Sequence, residues 1–252
     1  MSDLRGKIAL VTGSSRGIGA AIARHFAELG ASIAVHGRDD GAVEKVRGAI
    51  ERSGGKAIAV TGDVTSFADI ERIRSEIERA LGPIDILVAN AGANLAPPGP
   101  IETTDEKAWR ATVDTNLTST FLTIKSFLPG MKARKSGCVI TISSAAARRP
   151  HPMSPIAYAA AKAGVQLLTQ DVAAQVGADG IRVNCISPET ILTERNLERI
   201  PAAEQQTLVE THPIRRLGTP DDVARAAAFL ASDESSWITG VVLDIAGGAV
   251  MR

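Results

Sequence analysis

Short apolar runs alternate with amphipathic stretches along the whole chain. Residues 7–12 (KIALVT) form a continuous run of strand-forming type that stops at Gly13. Behind it Ile18, Ala21, Ile22, Phe26 and Leu29 recur at helical spacing, up to a stop at Gly30. The unit then repeats. Residues 32–36 are a second strand, followed by a helix marked by Val43, Val46 and Ile50 and ended by Gly54-Gly55. Residues 57–61 are a third strand, and Phe67, Ile70, Ile73 and Ile77 mark a third helix that closes at Gly82-Pro83. Residues 85–89 are the fourth strand. A long fourth helix is predicted from about Thr104, with Thr103 and Glu106 as a capping box, a stripe of Val113, Leu117, Phe121 and Ile124, and a stop at Pro129-Gly130. Residues 138–142 and 181–186 are the next strands, flanking a fifth helix striped by Val165, Leu168, Val172 and Val176. Thr219-Pro220 reads as N-cap and first position of a helix to about Leu230, and 241–245 is the last strand.

Nearly continuous apolar strands that alternate with helices imply a parallel sheet covered on both faces. The expected fold class is α/β: a single-domain, doubly wound Rossmann fold over residues 1–252, with a seven-stranded parallel sheet. The stretch from about 188 to 217, polar and poorly patterned, is the expected substrate-loop region. The ligand crevice of such a sheet lies at the carboxyl ends of its strands.

Composition changes this picture at few points. Lys+Arg and Asp+Glu both count 28, so the formal charge cancels, which argues against a nucleic-acid partner held by phosphate neutralisation. Hydrophobic residues at 44% exclude a wholly disordered chain. Aromatics are only 3%, so the core must be aliphatic and alanine-rich. Cys138 and Cys185 are too few for a disulfide framework and lack zinc spacing, so no metal site is expected. The charged start of the chain is unlike a secretory signal, and no apolar run reaches the roughly 18 residues of a membrane span. The expectation is a cytoplasmic protein with no membrane association.

Two motifs carry chemistry. Between the first strand and the first helix lies Gly13-Ser14-Ser15-Arg16-Gly17-Ile18-Gly19. Its glycines let the backbone turn sharply and approach a diphosphate, which the amides and dipole of the helix N-terminus then receive. Glycines at these offsets mean little alone; the strand before and the helix after give them weight. The second motif is Tyr158, the only tyrosine, four residues before Lys162. On a helix the two share a face. A phenol titrates near pH 10 and is a poor acid or base at neutrality, and a close ammonium favours its phenolate. The pair suits general acid–base work.

The GxxxGxG spacing together with Tyr158 and Lys162 resembles the short-chain dehydrogenase/reductase family, in particular its 3-oxoacyl-[acyl-carrier-protein] reductase-like members. The resemblance covers nearly the whole chain. It implies that Asp63 and Val64 hold the adenine and that Asn90, Ala91 and Gly92 line the cofactor cleft. Asn116 would support a proton relay through water, Ser144 would hydrogen-bond the substrate oxygen, and Pro188, Ile191 and Thr193 would contact the nicotinamide carboxamide. Read from the residues alone, Asn90, Asn116 and Asp63 could serve backbone groups instead, and Ser143 could replace Ser144. The implied mechanism has Ser144 donating to a carbonyl oxygen, Tyr158 delivering the proton and Lys162 lowering the Tyr158 pKa. Two departures stand out: the interval from Ser144 to Tyr158 is one residue longer than usual, and Glu189 replaces the usual glycine after Pro188.

The end of the second strand points to NADP(H) as the preferred cofactor, with NAD(H) as the alternative. Dehydrogenases that use NAD place an acid there for the ribose hydroxyls. Here the position is Gly37, followed by Arg38, with Arg16 in the glycine turn, and two guanidiniums suit a 2′-phosphate. The competing reading lets Asp39 or Asp40 reach the ribose. The expected substrate is a small ketone, alcohol or sugar, or a carrier-bound thioester. Its walls are residues 93–101, 145–157 and 190–217, where Arg148, Arg149 and His151 could meet an anion. Lys132, Arg134 and Lys135 could dock an acyl carrier, although Asp179 weakens that idea. Surplus apolar positions such as Phe121, Ile124, Phe127 and Leu128, taken with the resemblance, imply a homotetramer. An alcohol dehydrogenase working oxidatively, and a cofactor-sensing regulator without turnover, are the competing functions.

Overall fold

The computed structural model describes residues 2–150 and 154–251. One sheet organises them. Its seven strands are β1 (Ile8–Val11), β2 (Ser32–Gly37), β3 (Lys56–Thr61), β4 (Ile86–Ala89), β5 (Gly137–Ile142), β6 (Ile181–Pro188) and β7 (Val242–Ile245). All pair in parallel, in the order β3-β2-β1-β4-β5-β6-β7. The order reverses between β1 and β4, which opens a crevice beyond their carboxyl ends.

The helices divide between the faces. Helices α1 (Gly17–Glu28), α2 (Asp40–Arg52) and α9 (Pro220–Ala231) cover one face through Ile22, Phe26, Val43, Ile50, Val223 and Leu230. Helices α3 (Phe67–Ala80), α5 (Ser119–Arg134) and α6 (Ile156–Val176) cover the other through Ile70, Ile77, Phe127, Val172 and Val176. The core is aliphatic as expected. Alanines 20, 23, 224, 227 and 228 are buried where α1 packs on α9, so small side chains let the two helices approach closely. Thr219 caps α9 in a reciprocal capping box with Asp222, with Pro220 at the first position.

Three local expectations fail. The cap of α4 (Glu106–Val113) is Asp105, whose carboxylate accepts from the Ala108 N–H at 2.8 Å, not Thr103 with Glu106. Thr103 is drawn into a preceding single turn, where its hydroxyl donates to Pro100 O at 2.9 Å. Pro129-Gly130 does not end the helix either. Helix α5 runs through Pro129 to Arg134, because Phe127 and Met131 lock its inner face into the core while the proline faces solvent. The chain leaves it at Lys135, in left-handed conformation with φ 50°. The polar stretch 188–217 is not irregular: it folds into α7 (Glu194–Arg199) and α8 (Ala202–Thr211), neither of which buries a side chain.

Helices α4 and α5 are joined by a π-helical turn, Asp114–Thr118, so the predicted long helix is one rod with a bulge. Such bulges concentrate at functional positions. This one carries Asn116.

Among the described residues no helix is long and apolar enough to cross a membrane, and no group of three or more His, Cys, Asp or Glu could hold a metal ion.

Candidate active site

The glycine turn leaves β1 and is fixed to the end of β4 by short polar groups. The Thr12 hydroxyl accepts from the Asn90 and Ala91 N–H groups, both at 3.0 Å. The Asn90 amide donates to Thr12 O at 2.8 Å and Gly13 O at 3.2 Å. From the other side, the Gly13 N–H donates to His36 Nδ1 at 3.1 Å, and the His36 N–H donates to Ser14 Oγ at 2.9 Å. Burial pushes the His36 imidazole down to about 4, so it is neutral near pH 7 and free to accept that bond. Sequence reasoning assigned neither Thr12 nor His36 a role. Their signal is tertiary, since their partners lie 78 and 23 residues away.

The glycines have little room. A Cβ on Gly19 would lie 2.4 Å from Gly13 O and 2.5 Å from Asn90 Nδ2. One on Gly13, which has φ +64°, would lie 2.9 Å from Ala91 Cα. The first turn of α1 has no side-chain cap, and Arg16 at its N-cap is exposed, so the leading amides are open to an anion. Thr193, the N-cap of α7, closes over this turn, 3.3 Å from the place of a Gly17 Cβ. Ile191 is buried and bridges to Gly218, and Pro188 ends β6 in the interior. Val64 is buried, while Asp63 Oδ1 accepts from the Thr65 N–H and hydroxyl at 2.9 and 2.8 Å. Asp63 is thus a turn former at the crevice rim, its carboxyl held low by those bonds.

Strand β2 ends beside the same turn. Gly37 is buried, and a Cβ there would lie 3.1 Å from both Cβ and Oγ of Ser15 and 2.8 Å from Val43. An acid would not fit without displacement. Arg38 is exposed, and Asp39 is occupied as the cap of α2, accepting from the Ala42 N–H at 2.9 Å.

The second cluster forms across β4, β5, the π-turn and α6. The Asn116 amide donates to Ala93 O at 2.6 Å and Thr112 O at 2.8 Å, but its Oδ1 is buried without a partner among the described residues. A Cβ on Gly92 would lie 2.7 Å from that oxygen and 3.2 Å from Lys162 Nζ, so glycine here keeps a small polar space open between them. The buried Lys162 ammonium donates to Ile142 O at 2.8 Å, and burial pushes it down to about 8. It is therefore still a cation at neutral pH. Its Nζ lies 5.7 Å from the Tyr158 ring centroid.

The two serines separate cleanly. Ser143 is buried, donating to Lys162 O at 2.8 Å and accepting from Gln166 at 3.1 Å. Ser144 is the one at the mouth, where its hydroxyl accepts from the Ala146 N–H at 3.2 Å and lies against the Tyr158 phenol. Burial pushes the Tyr158 phenol up; the Ser144 hydroxyl and, more weakly, the Arg195 guanidinium pull it back. Among the neighbours that favour the phenolate is thus Arg195, a residue sequence reasoning did not single out.

The expected anion contacts thin out. Arg148 turns away from the mouth to Asp244 at 3.2 Å and Val242 O at 3.1 Å, and so ties the loop after β5 to β7. Arg149 is exposed, and His151 lies outside the described residues. On the carrier-docking patch, Lys132 is paired with Asp179 at 3.1 Å and Arg134 donates to Ile84 O at 2.6 Å. Ile124 and Phe127, expected on a subunit face, are buried within this chain, whereas Phe121 is exposed.

The family profile described as Enoyl-(Acyl carrier protein) reductase matches residues 13–250. Glucose 1-dehydrogenase 2 of Bacillus subtilis is 37% identical over 99% of this chain and 96% of its own length. Among solved structures, a gluconate 5-dehydrogenase from Burkholderia cenocepacia in complex with NADP and tartrate superposes with a TM-score of 0.91. It is 33% identical, covering 98% of this chain and 96% of that one. A 3-oxoacyl-[acyl-carrier protein] reductase from Brucella melitensis with bound NAD gives 0.88 at 33% identity, covering 99% and 94%. The neighbours thus include both NAD and NADP complexes.

Proposed function

The chain belongs to the short-chain dehydrogenase/reductase family of oxidoreductases, and on that premise we propose that it reduces a ketone or β-ketoacyl thioester to a secondary alcohol, using NADPH. One observation carries the reading. Asn116, Ser144, Tyr158 and Lys162 come from three separate segments, the π-turn, the loop after β5 and α6, to the carboxyl ends of β4 and β5, where a buried oxygen, Asn116 Oδ1, lacks a partner among the described residues. An orphaned buried acceptor costs roughly 1–3 kcal/mol, and a site that orders water or substrate against it recovers that cost.

The glycine cradle fits a dinucleotide. Gly13, Ser15, Arg16, Gly17, Ile18 and Gly19 would hold its diphosphate on the open amides of α1. Asp63, Val64, Asn90, Ala91 and Gly92 would flank the adenine and ribose, Lys162 the nicotinamide ribose, and Pro188, Ile191 and Thr193 the carboxamide. When bound, the nicotinamide supplies the hydride. The chain's own residues do the rest. Ser144 donates to the carbonyl oxygen as charge develops there. Tyr158 delivers the proton to that oxygen. Lys162, a buried cation, favours the anionic side of the transfer, and Asn116 Oδ1 orders the water from which the proton is replaced. The preference for NADPH rests on the lack of room for an acid at Gly37 and on the exposed pair Arg16 and Arg38.

Carrier docking through Lys132 and Arg134 loses support, since both are engaged within the chain. A small ketone or short thioester remains. A homotetramer is proposed from apolar residues left in solvent, Phe121 (45% exposed), Leu167 (60%) and Trp237 (99%), and is measurable by light scattering.

The direct experiment follows NADPH oxidation with a short β-ketoacyl thioester and a panel of small ketones, with NADH run in parallel. Turnover is expected with NADPH at least tenfold above NADH. Tight NADPH binding without turnover on any carbonyl would overturn the reductase reading, and NAD+ reduction by alcohols or sugars would redirect it to oxidation.

A further inference from the structure

Glu189 stands where the resembling family has glycine, beside the expected carboxamide contact at Pro188. Its backbone N–H donates to Ile245 O at 3.1 Å, so the main chain stays in the sheet. The carboxylate does not enter the crevice. Oε2 accepts from the Thr190 N–H and faces His212 Nε2 at 3.3 Å. His212 directly follows α8 and is only 3% exposed. Its other nitrogen, Nδ1, lies 2.7 Å from Leu208 O and 3.3 Å from the Thr211 hydroxyl. Acceptors thus hold the ring from both sides. Burial alone would raise the Glu189 carboxyl, but the Thr190 hydroxyl and N–H outweigh it, with smaller contributions from His212 and Arg149, and hold it below the usual carboxylate range.

The chain after His212 is fixed at the same point. The Ile214 N–H donates to Gly247 O at 2.9 Å, and Pro213 packs so tightly that a Cβ on Gly248 would lie 2.8 Å from its Cγ. Segments following β6, α8 and β7 therefore meet at one junction. The opposite end of the α7–α8 segment is held by the Ile191–Gly218 bridge and by the Asn196 amide on Ile191 O at 2.8 Å. Between these ends α7 and α8 have no fully buried side chain. A segment without its own core takes its position from its ends.

We propose that Glu189 and His212 form an anchor that positions α7 and α8 over the substrate mouth and so governs substrate affinity without touching substrate. They are positioning residues. The charged groups that face the pair are Glu189 on the β6 extension, His212 at the end of α8, and Arg149 from the loop after β5. Release of the pair frees the C-terminal end of α8 and loosens the α7–α8 segment.

The kinetic part of this proposal rests on the reductase reading; the conformational part does not. Limited trypsin digestion reads the second directly, because α7 carries Arg195 and Arg199 in solvent. Glu189→Ala is expected to raise the cleavage rate at these two sites about tenfold. Glu189→Gln, which still accepts from the imidazole, should raise it less than threefold. Combining Glu189→Ala with His212→Gln should be no worse than the worse single variant. On the carbonyl that turns over, Glu189→Ala should raise KM about tenfold with kcat and NADPH Kd within twofold. Unchanged cleavage overturns the anchor. An NADPH Kd that weakens as much as KM also overturns it, because the pair would then be supporting the nicotinamide wall. If Glu189→Ala does not fold, His212→Gln carries the same digestion test, and wild-type cleavage in that variant overturns the proposal. Failure of the reductase reading would silence the kinetic arm and leave the digestion arm intact.

Discussion

The two halves of the crevice are built in different ways. Around β1, β2 and β4 the chain is held by backbone groups and short side chains: Thr12, Asn90, Ser14, and a neutral His36. Close approach decides everything there, and glycines occupy positions without space for one more carbon. Around β5, β6 and β7 the loops are tied by polar and charged side chains, Arg148 to Asp244 and His212 to Glu189. The first construction accepts one geometry. The second can change partner by partner while the sheet stays the same. Relatives and structural neighbours whose names span a glucose dehydrogenase, steroid dehydrogenases and a 3-oxoacyl-[acyl-carrier protein] reductase over one fold agree with that division.

The comparison can be broken at several points. The largest effect is expected from Tyr158→Phe, which keeps the ring and removes the proton: kcat should fall by about 10³-fold with NADPH affinity unchanged, as measured by steady-state rates beside cofactor fluorescence titration. A variant that retains full turnover while folded would refute the assigned acid. Next comes Gly19→Ala. Inside an ordinary helix this change stabilises by about 1 kcal/mol. Here the new methyl meets Gly13 O and Asn90 Nδ2, so the sign should reverse, with NADPH Kd raised at least about a hundredfold and a lower Tm.

The third test uses pH. His36 titrates at about 4 in the folded chain against about 6.5 unfolded. Below pH 6.5 the unfolded chain binds a proton that the folded one refuses, so stability falls as pH drops from about 6.5 to about 4. The total is about 3 kcal/mol, readable from denaturant midpoints. His36→Asn should flatten the slope across that window, and a slope unchanged by this substitution would remove His36 from the account. The smallest effect expected is at Arg38. Arg38→Asp should lower the NADPH-over-NADH preference about thirtyfold, from the loss of a charge-assisted contact and the addition of repulsion. An unchanged ratio would move the 2′-phosphate site elsewhere.

Much of this was legible in the chain, though unevenly. Strand and helix order follow from residues repeating at short intervals, and every strand lies within about two residues of its expected span. The glycine turn and the Tyr158–Lys162 pair were legible for the same reason, since their spacing is itself the geometry. The substrate side was not. Arg148 looks like an anion contact until Asp244, 96 residues on, takes it. Residues 188–217 look irregular because helices that bury nothing carry no apolar stripe.

By itself, then, the sequence determined the strand and helix order of the doubly wound sheet, the glycine turn between β1 and α1, and the placing of Tyr158 and Lys162 four residues apart on one helix, all of which depend on spacing within a few residues. The tertiary structure alone decided which of two adjacent serines faces the mouth, why Pro129 fails to stop α5, and where Glu189 turns. Each of those outcomes depends on a partner brought in from a distant segment: Lys162 O for Ser143, the sheet beneath Phe127 and Met131, His212 for Glu189. Local periodicity carries no information about such partners, because burial and hydrogen bonding are settled only once the sheet has assembled.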